Sequence, residues 1–262
     1  MNSAFRSRFV RIWLLLMVAA LSACAPQAGR LASTPVERPV WAFEHSDIPA
    51  EPEYRFGQLP NGMRYVIRNN PTPKGTALVR LDIGAGSLDE QPAERGFAHF
   101  VEHMVFNGSA NVPEGEMIRL LERNGLAFGA DTNASTGFEA TTYKLDLPRN
   151  DPTLLDTALM LMRETVSELS FTPEAVARER GVVLAEMRDR NSWQLRNAMA
   201  QARFLYPQAL YPQRFPIGVE QTVAMASAEA LKAFWRREYV PAKTTLVVIG
   251  DFDPDHVEDV IA

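Results

Sequence analysis

The residues with the clearest capacity for chemistry are His99, Glu102 and His103, in the run Glu94-Arg-Gly-Phe-Ala-His-Phe-Val-Glu-His-Met-Val-Phe106. Residues four apart on an α-helix are separated by about 400° around the axis, so about 40° after one turn. Both imidazoles can therefore reach one ion. Glu102, beside them, is close enough to meet a water on that ion. Two histidines, a third protein ligand and a water make a catalytic zinc site, and the order His-x-x-Glu-His occurs among zinc peptidases. A solvated polar face accounts for most triplets of this kind. Composition argues against that here. The chain holds only four histidines, and chance would produce this motif about once in a few hundred such chains.

A third ligand must come from elsewhere. His45 and His256 read as ordinary surface residues. The helix expected over 173–190 places Glu179, Val182, Val183 and Glu186 at i, i+3, i+4 and i+7. Two carboxylates then share a stripe with two valines. Surface ion pairs would satisfy them. Carboxylates on an apolar stripe need a partner, however, and a metal site would also supply one. Cys24 is the only cysteine, which excludes an intrachain disulfide and any multi-cysteine zinc or iron–sulfur site.

These residues need a scaffold. Phe97, Phe100, Val101, Met104 and Val105 form an apolar stripe on a helix expected over 94–106, stopped by Asn107-Gly108. Before it, 54–58 and 63–68 flank Leu59-Pro60-Asn61-Gly62 and read as a hairpin, followed by a strand at 77–83. After it come a short helix over 114–124 and strands at 126–135 and 138–147. Asp151-Pro152 and Thr172-Pro173 are N-cap and first-turn signals for helices reaching about 169 and 190. A helix over 192–205 follows, then one over 228–239 capped by Ser227. A strand at 244–250 leads to a last helix opened by Asp253-Pro254, with Val257, Val260 and Ile261 on one stripe. Strands in two blocks, with helices between and after them, predict an α+β fold: a mixed, largely antiparallel sheet packed with helices.

At 262 residues, 46 % hydrophobic and 23 % charged, the chain is long enough for a sizeable core. Wholesale disorder, collagen, coiled coil and a polytopic membrane protein are excluded. The formal charge of −5 leaves no electrostatic footprint for nucleic acid. Residues 1–23 hold no acidic residue, and Arg6, Arg8 and Arg11 precede the apolar run 12–20. That run is too short to span a bilayer and reads as an export signal. Leu21-Ser22-Ala23-Cys24 is similar to a bacterial lipobox, which makes Cys24 the lipidated first residue of the mature protein. Ala25 then favours sorting to the outer membrane, facing the periplasm. Five prolines in 25–53 mark a tether. The expected organisation is a signal at 1–23, a tether at 24–53 and a domain at 54–262.

Four ordered segments resemble the pitrilysin/insulinase family of zinc peptidases, most closely its exported bacterial branch. They are Gly96-Phe-Ala-His-Phe-Val-Glu-His-Met-Val-Phe-Asn-Gly108, Asn133-Ala-Ser-Thr136, Glu179-Arg-Gly-Val-Val-Leu-Ala-Glu186 and Thr244-Thr-Leu-Val-Val-Ile-Gly-Asp-Phe252. The resemblance implies that His99, His103 and Glu186 hold one zinc per chain. It implies that Glu102 is the base and Glu179 an assisting glutamate. It also implies that a peptide substrate adds as a strand beside Asn133 and Ala134. The spacing from His103 to Glu186 is a few residues longer than usual in the family, and the surplus falls in the loops between 107 and 172. Family enzymes close two halves, each of two related domains, like a clamshell. On that basis this chain is about one domain of four, completed by a second half in cis or trans, and slow on its own. The apolar last helix, ending at Ala262 without a capping residue, fits that expectation. A metal-free family member serving assembly would lack metal-site residues, and a zinc-storage lipoprotein would not need Glu102.

The anchor is directly testable. Cys24→Ser is expected to move the protein from the membrane fraction to the soluble periplasmic fraction. Wild-type protein already soluble, with an unmodified thiol at Cys24, would contradict it.

Overall fold

The computed structural model describes residues 41–127, 129–149 and 151–262. The signal, Cys24 and most of the tether lie outside the described residues. The chain divides into two units, Met1–Ile48 and Pro49–Ala262. In the first, the described residues carry a short 3-10 turn, Ala42–His45, with Trp41 stacked on Phe43.

The second unit is built on one six-stranded sheet in the order β1-β2-β6-β3-β5-β4. The strands are β1 (Tyr54–Gln58), β2 (Arg64–Asn69), β3 (Ala77–Ile83), β4 (Thr132–Thr136), β5 (Thr141–Leu147) and β6 (Thr244–Gly250). Every pairing is antiparallel except β2 with β6. The sheet is therefore mixed and largely antiparallel, as expected. The period-2 alternation of a strand drives the assembly. Ala77, Val79, Leu81 and Ile83 of β3 are buried, as are Tyr143, Leu145 and Leu147 of β5 and Leu246 and Val248 of β6. β1 and β4 are the two edges, and β4 is the edge nearest the chemistry.

Eight α-helices occur among the described residues: α1 (Phe97–Met104), α2 (Glu116–Arg123), α3 (Pro152–Ser167), α4 (Pro173–Asp189), α5 (Trp193–Leu205), α6 (Glu220–Met225), α7 (Ala228–Glu238) and α8 (Pro254–Ile261). The caps read from sequence act as such. Asp151 accepts the Leu154 N–H at 2.9 Å, Thr172 that of Ala175 at 3.2 Å and Ser227 that of Ala230 at 3.1 Å. α3 lies on β3 and β5, α8 on β2, and α1 is packed among α4, α7 and β4.

Several boundaries differ from expectation for local reasons. The helix expected over 94–106 is an eight-residue α-helix with a 3-10 turn on either side, Pro92–Glu94 and Val105–Asn107. Gly96, at φ 102°, breaks the run at its start. A Cβ there would lie 2.8 Å from Val223 Cγ2 and 3.2 Å from the Gly218 Cα, so the close approach also needs glycine. The strand expected at 126–135 begins only at Thr132. Ahead of it, the Asp131 carboxylate accepts the Ala127 N–H at 2.8 Å and closes a turn. The strand expected at 138–147 begins at Thr141, because Gly137 donates to the Ala140 carbonyl in the hairpin. The six-residue α6 was not expected; it has no side-chain cap to announce it. On α8, Val257 and Ile261 pack inward, but Val260 is exposed and does not share their stripe.

Candidate metal centre

The α1 stripe read from sequence is the anchor of the site. Phe97, Phe100, Val101, Met104 and Val105 are all buried. Burying a side chain such as Phe100 stabilises by about 1.5–3 kcal/mol, so the helix cannot rotate without large loss. Its start is held by Glu90, whose buried carboxylate accepts the N–H groups of Gly96 at 2.9 Å and Ala98 at 3.0 Å. Those donors have no partner within the helix, and a carboxylate complements the helix dipole there. Burial pushes the Glu90 carboxyl up to about 7, against the pull of the two N–H groups and Arg214.

On the other face of α1, the Nε2 atoms of His99 and His103 stand 3.3 Å apart. Glu186 Oε2, from α4, is 3.6 Å from the first and 3.1 Å from the second. Donors about 2.0–2.1 Å from a tetrahedral zinc are about 3.3–3.4 Å from one another. The observed spacings fit that requirement. The chemistry of the set fits too. Burial, then the neighbouring His103, pushes His99 down to about 4, so it is neutral at pH 7 and offers a lone pair. His103 Nδ1 lies 2.7 Å from Glu179 Oε1. The carboxylate can only accept, so Nδ1 carries the proton and Nε2 is left to coordinate. Two lone pairs and a carboxylate oxygen crowded together call for a cation. His99 Nδ1 is buried without a hydrogen-bond partner among the described residues.

The remaining groups surround this trio. Glu102 is half-buried and accepts a hydrogen bond from Thr136 Oγ1 on β4. Burial raises its carboxyl above the usual range, while the Thr136 bond and the charge of His103 oppose the rise. For His103, burial acts downward, but the Glu179 hydrogen bond and the nearby carboxylates outweigh it and leave the ring raised. For Glu179, burial acts upward and is outweighed by the bonds from His103 and Asn107, which leave it lowered. Arg190 pairs with the second oxygen of Glu186.

His99, His103, Glu179 and Glu186 thus lie together, with Glu102 beside His103 on α1. Val183 is buried beneath the two glutamates, but Val182 is exposed, so the stripe holds one valine rather than two. α4 turns Val182 about 100° away from Val183. His256 pairs with Asp156 at 2.8 Å and does not join the site, and His45 is exposed in the first unit. Asn133 is exposed and Ala134 half-buried on the edge strand β4, which packs against α1. Glu90, Asn107, Thr136 and Arg190 were missed. Of these, Asn107 was visible as the helix stop, Thr136 as the last residue of the Asn133-Ala-Ser-Thr136 segment, and Arg190 lies four residues beyond Glu186.

A profile of the insulinase family (peptidase family M16) matches residues 65–208, more than half of the chain. The chain belongs to this family. It is 36 % identical over 213 residues to a probable zinc protease PqqL of Haemophilus influenzae, covering 81 % of this chain and 23 % of that protein. It is 30 % identical over 216 residues to the chloroplastic stromal processing peptidase of Arabidopsis thaliana, covering 81 % of this chain and 16 % of that protein. The solved first half of the periplasmic protease PqqL from Escherichia coli superposes with a TM-score of 0.78 at 36 % identity, covering 82 % of this chain and 46 % of that one. Pitrilysin, at 24 % identity and a TM-score of 0.68, shares the fold. The chain spans less than a quarter of the length of the full-length relatives.

The donor set predicts one zinc per chain. By competition with a chromophoric chelator, Glu186→Gln is expected to weaken binding at least ~100-fold, beyond the roughly 10–100-fold typical of losing an outer partner. His103→Ala is expected to abolish it. Undiminished affinity in Glu186→Gln would move the third ligand elsewhere.

Proposed function

We propose that this chain is the metal-bearing part of an exported zinc endopeptidase that hydrolyses peptides or small proteins in the bacterial cell envelope. His99, His103 and Glu186 hold the ion and Glu102 is the base. The observation that carries this reading is the position of Glu102. It stands one helical turn from His99 and next to His103, fixed by Thr136 and outside the three-donor set. A storage site has no use for a carboxylate so placed.

When bound, zinc supplies Lewis acidity that brings a water toward neutral pKa and polarises a carbonyl. Glu102 accepts a proton from the attacking water and returns it to the leaving amine. Its burial serves this role, because a carboxyl raised above the ordinary range keeps the proton long enough to return it.

Thr136 connects the base to the substrate path. In an antiparallel ladder the N–H and C=O of one residue point the same way. The N–H and C=O of Thr132 are taken by Ala127 and Gly129, on the side away from β5. By alternation Ala134 and Thr136 also face that side. The Ala134 N–H is met by the Asn133 side-chain oxygen at 2.9 Å, and the Asn133 amide donates to the Gly129 carbonyl at 3.3 Å. Asn133 thus stands in for the acceptor of a missing strand. A peptide adding along this edge takes those bonds and passes Glu102 at its end.

A second half in cis or trans completes the wall facing the ion, and Cys24 anchors the assembly in the outer membrane, facing the periplasm. The named identities of the relatives as zinc proteases, one of them periplasmic, support the reading. Glu102→Gln, in an assembly supplied with its second half, is expected to keep zinc while turnover falls at least ~100-fold. Loss of zinc would make Glu102 a ligand, and unchanged turnover would end its role as base.

A further inference from the structure

We propose that Asn107 is a positioning residue of the metal centre, closing a hydrogen-bonded ring that fixes both the ring orientation and the tautomer of His103. The inference rests on the zinc-centre reading. Asn107 lies at the end of the 3-10 turn that follows α1. Its amide nitrogen donates to the main-chain carbonyl of His103 at 3.1 Å and to Glu179 Oε2 at 3.0 Å. The other oxygen of Glu179 faces His103 Nδ1 at 2.7 Å. The ring runs from the His103 imidazole to the Glu179 carboxylate, to the Asn107 amide, and back to the His103 backbone.

Each member has one permitted direction. An ionised carboxylate only accepts and an NH₂ group only donates. Glu179 therefore takes the Nδ1 proton on one oxygen and the Asn107 proton on the other. With both oxygens engaged, the carboxylate plane cannot turn away from the imidazole. The His103 carbonyl at the end of α1, which a main-chain N–H at the cap also approaches, accepts from the Asn107 amide. A single side chain thus ties the ligand's backbone to the carboxylate that orients its ring. Such outer partners are worth about 10–100-fold in metal affinity.

The ring also predicts how it can be broken. Asn107→Asp keeps the shape but sets a second carboxylate against Glu179, with no proton to share. Glu179→Gln removes that conflict, because a glutamine can accept from His103 with its oxygen and donate to the new aspartate with its nitrogen. Zinc affinity of the purified chain, by chelator competition, is the readout. Asn107→Asp is expected to weaken zinc at least ~10-fold in the wild-type background and less than ~3-fold in the Glu179→Gln background. Asn107→Ala, which removes the donor without adding charge, is expected to cost about 3- to 10-fold. Thermal melting in EDTA checks that each variant is folded, and the alanine variant carries the test if the aspartate variant is not. A penalty under ~2-fold in both variants overturns the proposal. So does an aspartate penalty of equal size in both backgrounds, which marks Asn107 as only a helix stop. A wild-type chain that binds no zinc instead overturns the zinc-centre reading on which the proposal rests.

Discussion

Three donor atoms from two helices are held within 3.1–3.6 Å of one another: two imidazole nitrogens and a carboxylate oxygen. Burial holds His99 in its neutral form, while Glu179 and Glu186 favour positive charge on the His103 ring. The packing of the domain sets this spacing, and a bound cation would take the place of the charge on His103. α1 contributes both imidazoles and α4 the carboxylate, so the relation of these two helices is the quantity that the rest of the fold must fix. Val183 and the α1 stripe bury the two helices in one core.

The ends of α1 are fixed separately. At the start, Glu90 takes two unpartnered N–H groups, and Arg214 donates to the Glu90 carbonyl at 3.0 Å, bringing a loop more than a hundred residues away against the helix. Gly96 and Gly218 allow that loop to approach at backbone distance. At the other end, Asn107 takes the His103 carbonyl. On the sheet side, one hydrogen bond from Thr136 joins the edge strand β4 to Glu102. A short helix clamped at both ends and along its side carries His99, Glu102 and His103 with little freedom to move, as preorganised chemistry would require.

Much of this was legible in the sequence because it rests on periodicity and local signals. The order of strands and helices followed from alternation, turn residues and N-caps at Asp151, Thr172 and Ser227. His99, Glu102 and His103 were read from helical spacing, and Glu179 and Glu186 from a carboxylate pair beside Val183 together with the family resemblance. What was illegible depends on tertiary contact. The division of 94–106 into three pieces follows from the approach of Gly96 to Gly218 and Val223, which no local pattern records. The late start of β4 follows from the Asp131 turn, because the residues before it carry enough apolar character to pass as strand. Thr136 meets Glu102 from 34 residues away, which no local pattern records, whereas Glu90 and Arg190 bond to near neighbours in sequence and went unread because glutamate and arginine are common surface types. Val182 was placed in the stripe because i+3 and i+4 positions both fall near a helix face, and only the packing of α4 decides which one is covered.

Two imidazoles and one carboxylate of this chain have the spacing of a tetrahedral zinc site with one place left open. X-ray absorption spectroscopy at the zinc edge, on the chain loaded with one equivalent of zinc, tests it most directly. The expected spectrum shows four nitrogen or oxygen neighbours at about 2.0–2.1 Å, with the outer-sphere scattering of two imidazoles and no sulfur. A first shell with one imidazole or none, or an octahedral all-oxygen shell, would contradict it.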